Sequence, residues 1–140
     1  MIRLQEFVKL RPKRRGFHLV TDEIERGLPE LKTISRGLAH IMVMHTSAGL
    51  TLNENTDPDV RADLAGIFDR IAPENHPAYT HILEGSDDMP AHAKATIAGA
   101  DVLVPIRDGR FVLGTWQGIF LGEFRNRAGS RRLVVTVLAN

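Results

Sequence analysis

From Gly99 to the C-terminus the sequence offers four apolar runs, at residues 102–106, 110–113, 118–125 and 132–138, and no stretch of helical periodicity. The first two flank Arg107-Asp108-Gly109, and Asp-Gly between apolar runs is a strong signal for a tight hairpin. Strands at hairpin spacing pair antiparallel. The helical patterns all lie earlier, so the expectation is an α+β fold: an antiparallel β-sandwich-like sheet with two to three helices. The chain has 140 residues, the size of one ordinary domain spanning 1–140.

The first hundred residues supply the helices. Strand character recurs at 2–8, 17–20 and 50–53, and the near-continuous apolar run 37–46 predicts a strand buried on both faces. Thr21 is placed to cap a helix over 22–34, with Ile24, Leu28, Leu31 and Ile34 at helical spacing, and Pro29 predicts a kink or two pieces. Asp57-Pro58 opens a second helix, carrying Val60, Leu64, Ile67, Phe68 and Ile71 on one stripe until Pro73 ends it. A short helix over 90–99 closes at Gly99. The late strands 118–124 and 133–138 are apolar on both faces, more than a small monomer should need, which predicts self-assembly.

Composition narrows function by exclusion. Hydrophobic residues make up 43% and charged residues 25%, which is globular, and 18 basic against 17 acidic side chains leave a net charge of +1. Bulk charge therefore gives no ground for a nucleic-acid or membrane partner. With no cysteine, disulfides, thiolate metal sites and a Cys nucleophile are excluded. No apolar run approaches a membrane span, and residues 1–6 lack the apolar stretch of a signal peptide, so a cytoplasmic location is expected. No GxxxxGK[ST] loop, GxGxxG element or nucleophile elbow is present.

Chemistry concentrates in three places. His45 ends the 37–46 strand, His81 precedes Glu84-Gly85-Ser86-Asp87-Asp88, and His92 sits at a helix start. Three imidazoles from separate segments suit an open metal site with one position left for water or substrate, although no short spacing motif ties them together. Asp87 and Asp88 lie in a glycine-containing loop, where they either converge on a site or cap the following helix. Thr115-Trp116-Gln117 lies between Gly114 and Gly118; Trp116, the only tryptophan, is read as core or interface, with a platform for a flat ligand as the alternative. Basic residues cluster at 9–15 and 125–132, either as solvated surface or as a phosphate seat.

Three strings together resemble one family along essentially the whole chain: His45-Thr46-Ser47-Ala48-Gly49-Leu50-Thr51-Leu52-Asn53-Glu54-Asn55 with Asp57-Pro58-Asp59-Val60; residues 81–94 with Glu84-Gly85, Asp87-Asp88-Met89-Pro90 and Ala91-His92; and residues 113–125 around Gly114-Thr115-Trp116-Gln117-Gly118. They are similar to the YjbQ-like family of small bacterial and archaeal proteins, often labelled secondary thiamine-phosphate synthases. Ser47 stands where Thr is frequent, and Gly122 where a larger residue is common. The resemblance implies a compact α+β fold assembled as a homotrimer, with His45, His81 and His92 as ligands of a divalent metal, zinc-like or else magnesium. It also implies a secondary activity that joins a pyrimidine pyrophosphate to a thiazole phosphate with loss of pyrophosphate. On that reading Glu84, Asp87, Asp88 and Glu123 act at the reacting centre, while Lys94, Thr115, Trp116, Gln117 and Arg125 hold a phosphorylated small molecule. A non-enzymatic trimer that binds a metal or a phosphorylated metabolite is the alternative, and a purely structural trimer a third.

Overall fold

Turn chemistry and proline decide where the elements stop. A computed structural model describes residues 1–140, with strands β1 (Ile2–Lys9), β2 (Gly16–Leu19), β3 (Arg36–Val43), β4 (Ala48–Glu54), β5 (Asp101–Arg107), β6 (Arg110–Phe111), β7 (Gln117–Glu123) and β8 (Arg132–Ala139). Helices α1 (Thr21–Arg26), α2 (Pro58–Ile71) and α3 (Asp88–Ala98) interrupt them, and a 3-10 turn spans Pro29–Thr33. Pro29 splits the expected 22–34 helix because its ring fixes φ and removes a donor. Thr21 does not cap α1; its hydroxyl accepts the Ile119 amide at 2.9 Å and ties the helix to β7. Asp57 does cap α2, its carboxylate accepting the Asp59 amide. At the β5–β6 hairpin, Asp108 and Gly109 have φ of 51° and 75°, the left-handed pair that such a turn demands.

All strand pairs are antiparallel, as expected, and they form two sheets packed face to face. One has the order β1-β8-β3-β5-β6 and the other β2-β7-β4. The inner face of the five-stranded sheet, with Ile41, Val104 and Val135, packs on Leu50, Ile119 and Leu121 of the smaller sheet. The far side of the smaller sheet presents Phe17, Phe120 and Phe124 to Leu64, Phe68 and Ala91 of α2 and α3. Phe17 meets Phe68 edge-on at 5.1 Å, and Phe68 stacks on Phe124 at 5.8 Å. The architecture is therefore sheet on sheet on helix. No helix is long and apolar enough to cross a membrane.

This layering corrects two expectations. The doubly apolar β7 is buried on both faces within the chain, by the large sheet on one side and the helices on the other, so it leaves no surplus for assembly. β3 is not buried throughout; alternate residues face outward because nothing in the chain covers the outer side of the large sheet. The apolar surplus lies there instead, with Phe7, Leu38, Leu103 and Leu138 exposed.

The basic loop between β1 and β2 is held in place by an acid. Glu23 accepts the Arg11 amide and the Lys13 ammonium, each at 2.6 Å. Burial works to raise the Glu23 pKa, but these hydrogen bonds and charges outweigh it and hold the carboxyl below its ordinary value of 4.5. The stabilisation this lends is complete above that ordinary value and is lost as pH falls through the depressed folded-state pKa. Glu23→Gln should lower unfolding stability by about 1–2 kcal/mol at neutral pH, with the deficit vanishing in acid. Urea titrations of both proteins at pH 7 and below 4 check this; equal stability at pH 7 would remove Glu23 from the account.

Candidate metal centre

The centre is built where α3 begins and β7 ends. α3 lies closely on β4 because Gly49 has no side chain: a Cβ there would sit 2.8 Å from the Ala98 Cβ and 2.9 Å from the Gly99 carbonyl oxygen. The Leu50 amide uses that approach to donate to the Gly99 carbonyl at 3.0 Å. At the other end of the helix, Asp87 does not cap. Its carboxylate turns to Arg125 Nε and the Asn126 amide, both at 2.9 Å. Arg125 also donates to Asp88 Oδ1 at 2.6 Å and to the Glu84 carbonyl at 2.9 Å. One guanidinium thus fixes Glu84, Asp87 and Asp88 together.

On this frame, Asp88 Oδ2 lies 2.6 Å from His81 Nε2 and 3.2 Å from His92 Nε2. One donor atom from each of the three residues falls within 4.8 Å of the others. The Asp88 side chain is 2% exposed and the two imidazoles are reachable from solvent. His92 Nδ1 lies 3.0 Å from the Thr46 carbonyl, which can only accept, so Nδ1 carries a hydrogen and donates. A neutral His92 then aims the lone pair of Nε2 at the Asp88 carboxylate. Electrons face electrons unless a cation, a proton or a metal ion, sits between them. Burial acts to raise the pKa of both aspartates. In Asp88 this is outweighed by the His81 hydrogen bond, the Arg125 charge and His92; in Asp87, by the Asn126 amide and Arg125. Both carboxyls end below the usual range. The Asp87 hydrogen bond above all raises the pKa of Arg125 in turn.

His45 stands outside this group, for a chemical reason. Its Nε2 accepts the Arg132 amide at 2.8 Å, so its proton sits on Nδ1 and no lone pair is free. Burial, with Arg131 and Arg132 assisting and Glu123 opposing, lowers its pKa and keeps it neutral. Asp88 takes the third place. The Asp88–His92 spacing of four on one helix was the sequence signal for this pairing.

The other expected site residues divide. Glu84 is exposed, and its carboxylate takes no hydrogen bond or ion pair. Glu123 is fully buried and held by Arg131 through Nε at 2.8 Å and Nη2 at 2.6 Å, so it is not an accessible acid or base. Arg131 also reaches the Ser47 carbonyl and hydroxyl at 3.1 and 3.0 Å, which holds the turn that presents Thr46 to His92. Lys94 points to the opposite side of α3 from His92, buried on Asp69 at 2.5 Å, and is not placed to clamp a ligand of the centre. Thr115, Trp116 and Gln117 are also elsewhere. β4 and β7 run in register from Ala48 opposite Glu123 to Glu54 opposite Gln117, a separation of about 20 Å. Trp116 is neither core nor site wall in the single chain, being 62% exposed, while Asn55 ties down the Thr115 and Gln117 carbonyls.

This geometry belongs to a known class of small α+β proteins. The family description "UPF0047 protein YjbQ-like" matches residues 6–140. A relative from Salmonella typhimurium, UPF0047 protein YjbQ, is 50% identical over 133 residues, covering 95% of this chain and 96% of its own. UPF0047 protein YugU of Bacillus subtilis is 44% identical over 105 residues, covering 75% and 76%. Among solved structures, a conserved hypothetical protein from Thermus thermophilus superposes with a TM-score of 0.84 at 34% identity, covering 95% of this chain and 99% of its own. A YbjQ-like protein from Sulfolobus solfataricus gives 0.83 at 26% identity, covering 98% and 97%. The chain belongs to the UPF0047 YjbQ-like family.

Breaking the buried pair behind the centre should be costly, because it leaves a buried guanidinium without its counter-charge. Glu123→Leu is expected to destabilise the fold by about 3–5 kcal/mol, and adding Arg131→Leu to recover a large part of that. Denaturant unfolding of the two variants measures both numbers; a single-variant cost near zero would show the pair to be incidental.

Proposed function

We propose that the chain is a metal-dependent enzyme acting on phosphorylated small molecules in the cytoplasm, with a zinc-like divalent ion held by His81, Asp88 and His92. The observation that carries this reading is the Thr46 carbonyl, which fixes the His92 tautomer so that Nε2 and Asp88 Oδ2 face each other across a gap suited to a cation. Two imidazoles with one carboxylate fit zinc better than magnesium, which prefers oxygen donors. An ion bound there supplies positive charge to a phosphate or pyrophosphate leaving group. Arg125 helps to keep the two aspartates ionised, beside the Asn126 amide at Asp87 and His81 at Asp88, and two of its five donors remain for a ligand oxygen. Glu84, on the same loop with a free carboxylate, is the candidate acid or base. In its finer form the reading is a transferase resembling secondary thiamine-phosphate synthases, in which a pyrimidine pyrophosphate joins a thiazole phosphate and pyrophosphate departs.

The non-enzymatic alternative draws on a specific observation. Asp87, Asp88 and Glu123 all have their carboxylates engaged, which leaves Glu84 alone for proton transfer. Glu84→Gln separates the two readings: in an enzyme it abolishes pyrophosphate release and spares metal affinity, whereas a binding module shows no turnover to lose.

Isothermal titration of the metal-free chain with zinc should give one site per chain. His81→Ala and His92→Ala should each weaken it by about 100-fold or more, with His45→Ala within a few-fold of the parent. Loss of zinc binding in His45→Ala alone would return the site to the three histidines. Self-assembly as a homotrimer completes the proposal. It is supported by the open apolar side of the five-stranded sheet around Phe7, Leu38, Leu103 and Leu138, and light scattering at micromolar concentration should give three times the chain mass.

A further inference from the structure

A cavity of about 370 Å³ lies against the centre, and His81 is part of its wall. The loop from Pro73 to Ser86 builds it, and that loop is tied to itself: the Tyr79 hydroxyl donates to the Pro73 carbonyl at 2.8 Å, and the Ser86 hydroxyl to Glu74 at 3.1 Å. Arg15 adds a contact to Glu74 at 3.5 Å from the β1–β2 loop. The cavity is therefore a product of specific bonds and not a gap between loose segments.

Its lining contains no lysine, arginine, aspartate or glutamate. A second phosphate would find no counter-charge there, and an ammonium no carboxylate. The lining offers two other kinds of surface. Pro77, Ile82 and Met89 are apolar, and the His76 and Tyr79 rings lie 5.4 Å apart and tilted. His76 Nδ1 accepts the Ala78 amide at 3.1 Å, so in the neutral ring the hydrogen is on Nε2, a donor with no partner in the chain. The Asn75 side-chain amide is likewise unpaired, and both the Tyr79 and Ser86 oxygens retain lone pairs after donating. A few polar groups set among apolar and aromatic walls are typical of organic-ligand sites, and the volume is at the small end of their range of about 300–1,000 Å³.

We propose that this cavity seats the uncharged organic part of the substrate, a compact group about the size of one substituted ring, while the phosphate it carries reaches the centre past His81. This rests on the metal-centre reading above and adds the other half of the substrate. Asn75, His76 and Ser86 then select by hydrogen bonding, and Ile82 and Tyr79 by apolar contact.

The test uses the zinc-loaded full chain with two probes, inorganic phosphate and phenyl phosphate, at a pH where both are dianions. Phenyl phosphate should bind about tenfold tighter or better, a difference that the ring alone can supply. Ser86→Trp, at an exposed position, fills the cavity and should erase the difference between the two probes, with a zinc titration of the variant checking that the centre still loads. Ile82→Ala, an exposed truncation that cannot unfold the chain, should reduce the difference severalfold. Equal binding of the two probes by the parent chain, or an advantage for phenyl phosphate that survives Ser86→Trp, would overturn the cavity proposal and spare the centre. Failure of the zinc-loaded chain to bind either probe would overturn the phosphate reading of the centre and this proposal with it.

Discussion

The geometry of the centre depends on the fork of Arg125, because that one side chain joins Asp87, Asp88 and the Glu84 carbonyl. A carboxyl almost wholly out of solvent is driven toward its neutral form, and the His81 hydrogen bond, the Arg125 charge and His92 together outweigh that in Asp88. The guanidinium places a permanent charge on Oδ1 and leaves Oδ2 for the histidines. Its position is equally constrained. Arg125 emerges two residues beyond β7, the strand that both other layers press upon, so its backbone has little freedom. The same side chain fastens the loop that carries His81 to the first turn of the helix that carries His92.

A second arginine does the corresponding work from behind. Arg131 is buried with Glu123 and reaches across to Ser47, and the residue before Ser47 is the one whose carbonyl decides which nitrogen of His92 bears the hydrogen. A buried pair like Arg131–Glu123 often stabilises no better than apolar residues of equal volume. What the pairs supply is orientation. A dispersed set of loops acquires a fixed arrangement of lone pairs, which is what an ion-binding site requires.

Local rules made the elements legible. Asp108-Gly109 declared its hairpin, Pro29 its break and Asp57-Pro58 its helix start, since each depends on residues a few positions apart. Which strands share a sheet was not legible, because β7 chooses β2 and β4 as neighbours through pairings about 60 to more than 100 residues apart in sequence. The site shows the same boundary. The surroundings of His81 and His92 and the loop of Asp87-Asp88 single these residues out in the sequence, and the fold brings His81, Asp88 and His92 within reach of one another. The exclusion of His45 hangs on a backbone amide 87 residues away. The sequence reads Glu123 as an acid or base and Lys94 as a phosphate clamp; the fold buries each side chain against an opposite charge, Arg131 and Asp69.

The solitary tryptophan has an optical consequence. With 62% of Trp116 open to water at the end of the smaller sheet opposite the centre, the native chain should already emit at the long wavelengths usually taken to mark a denatured protein. Its fluorescence is therefore nearly blind to unfolding. By the same token the indole is a sentinel for whatever arrives at that end, since any surface that shields it from solvent will shift its emission to the blue while the fold itself stays unchanged.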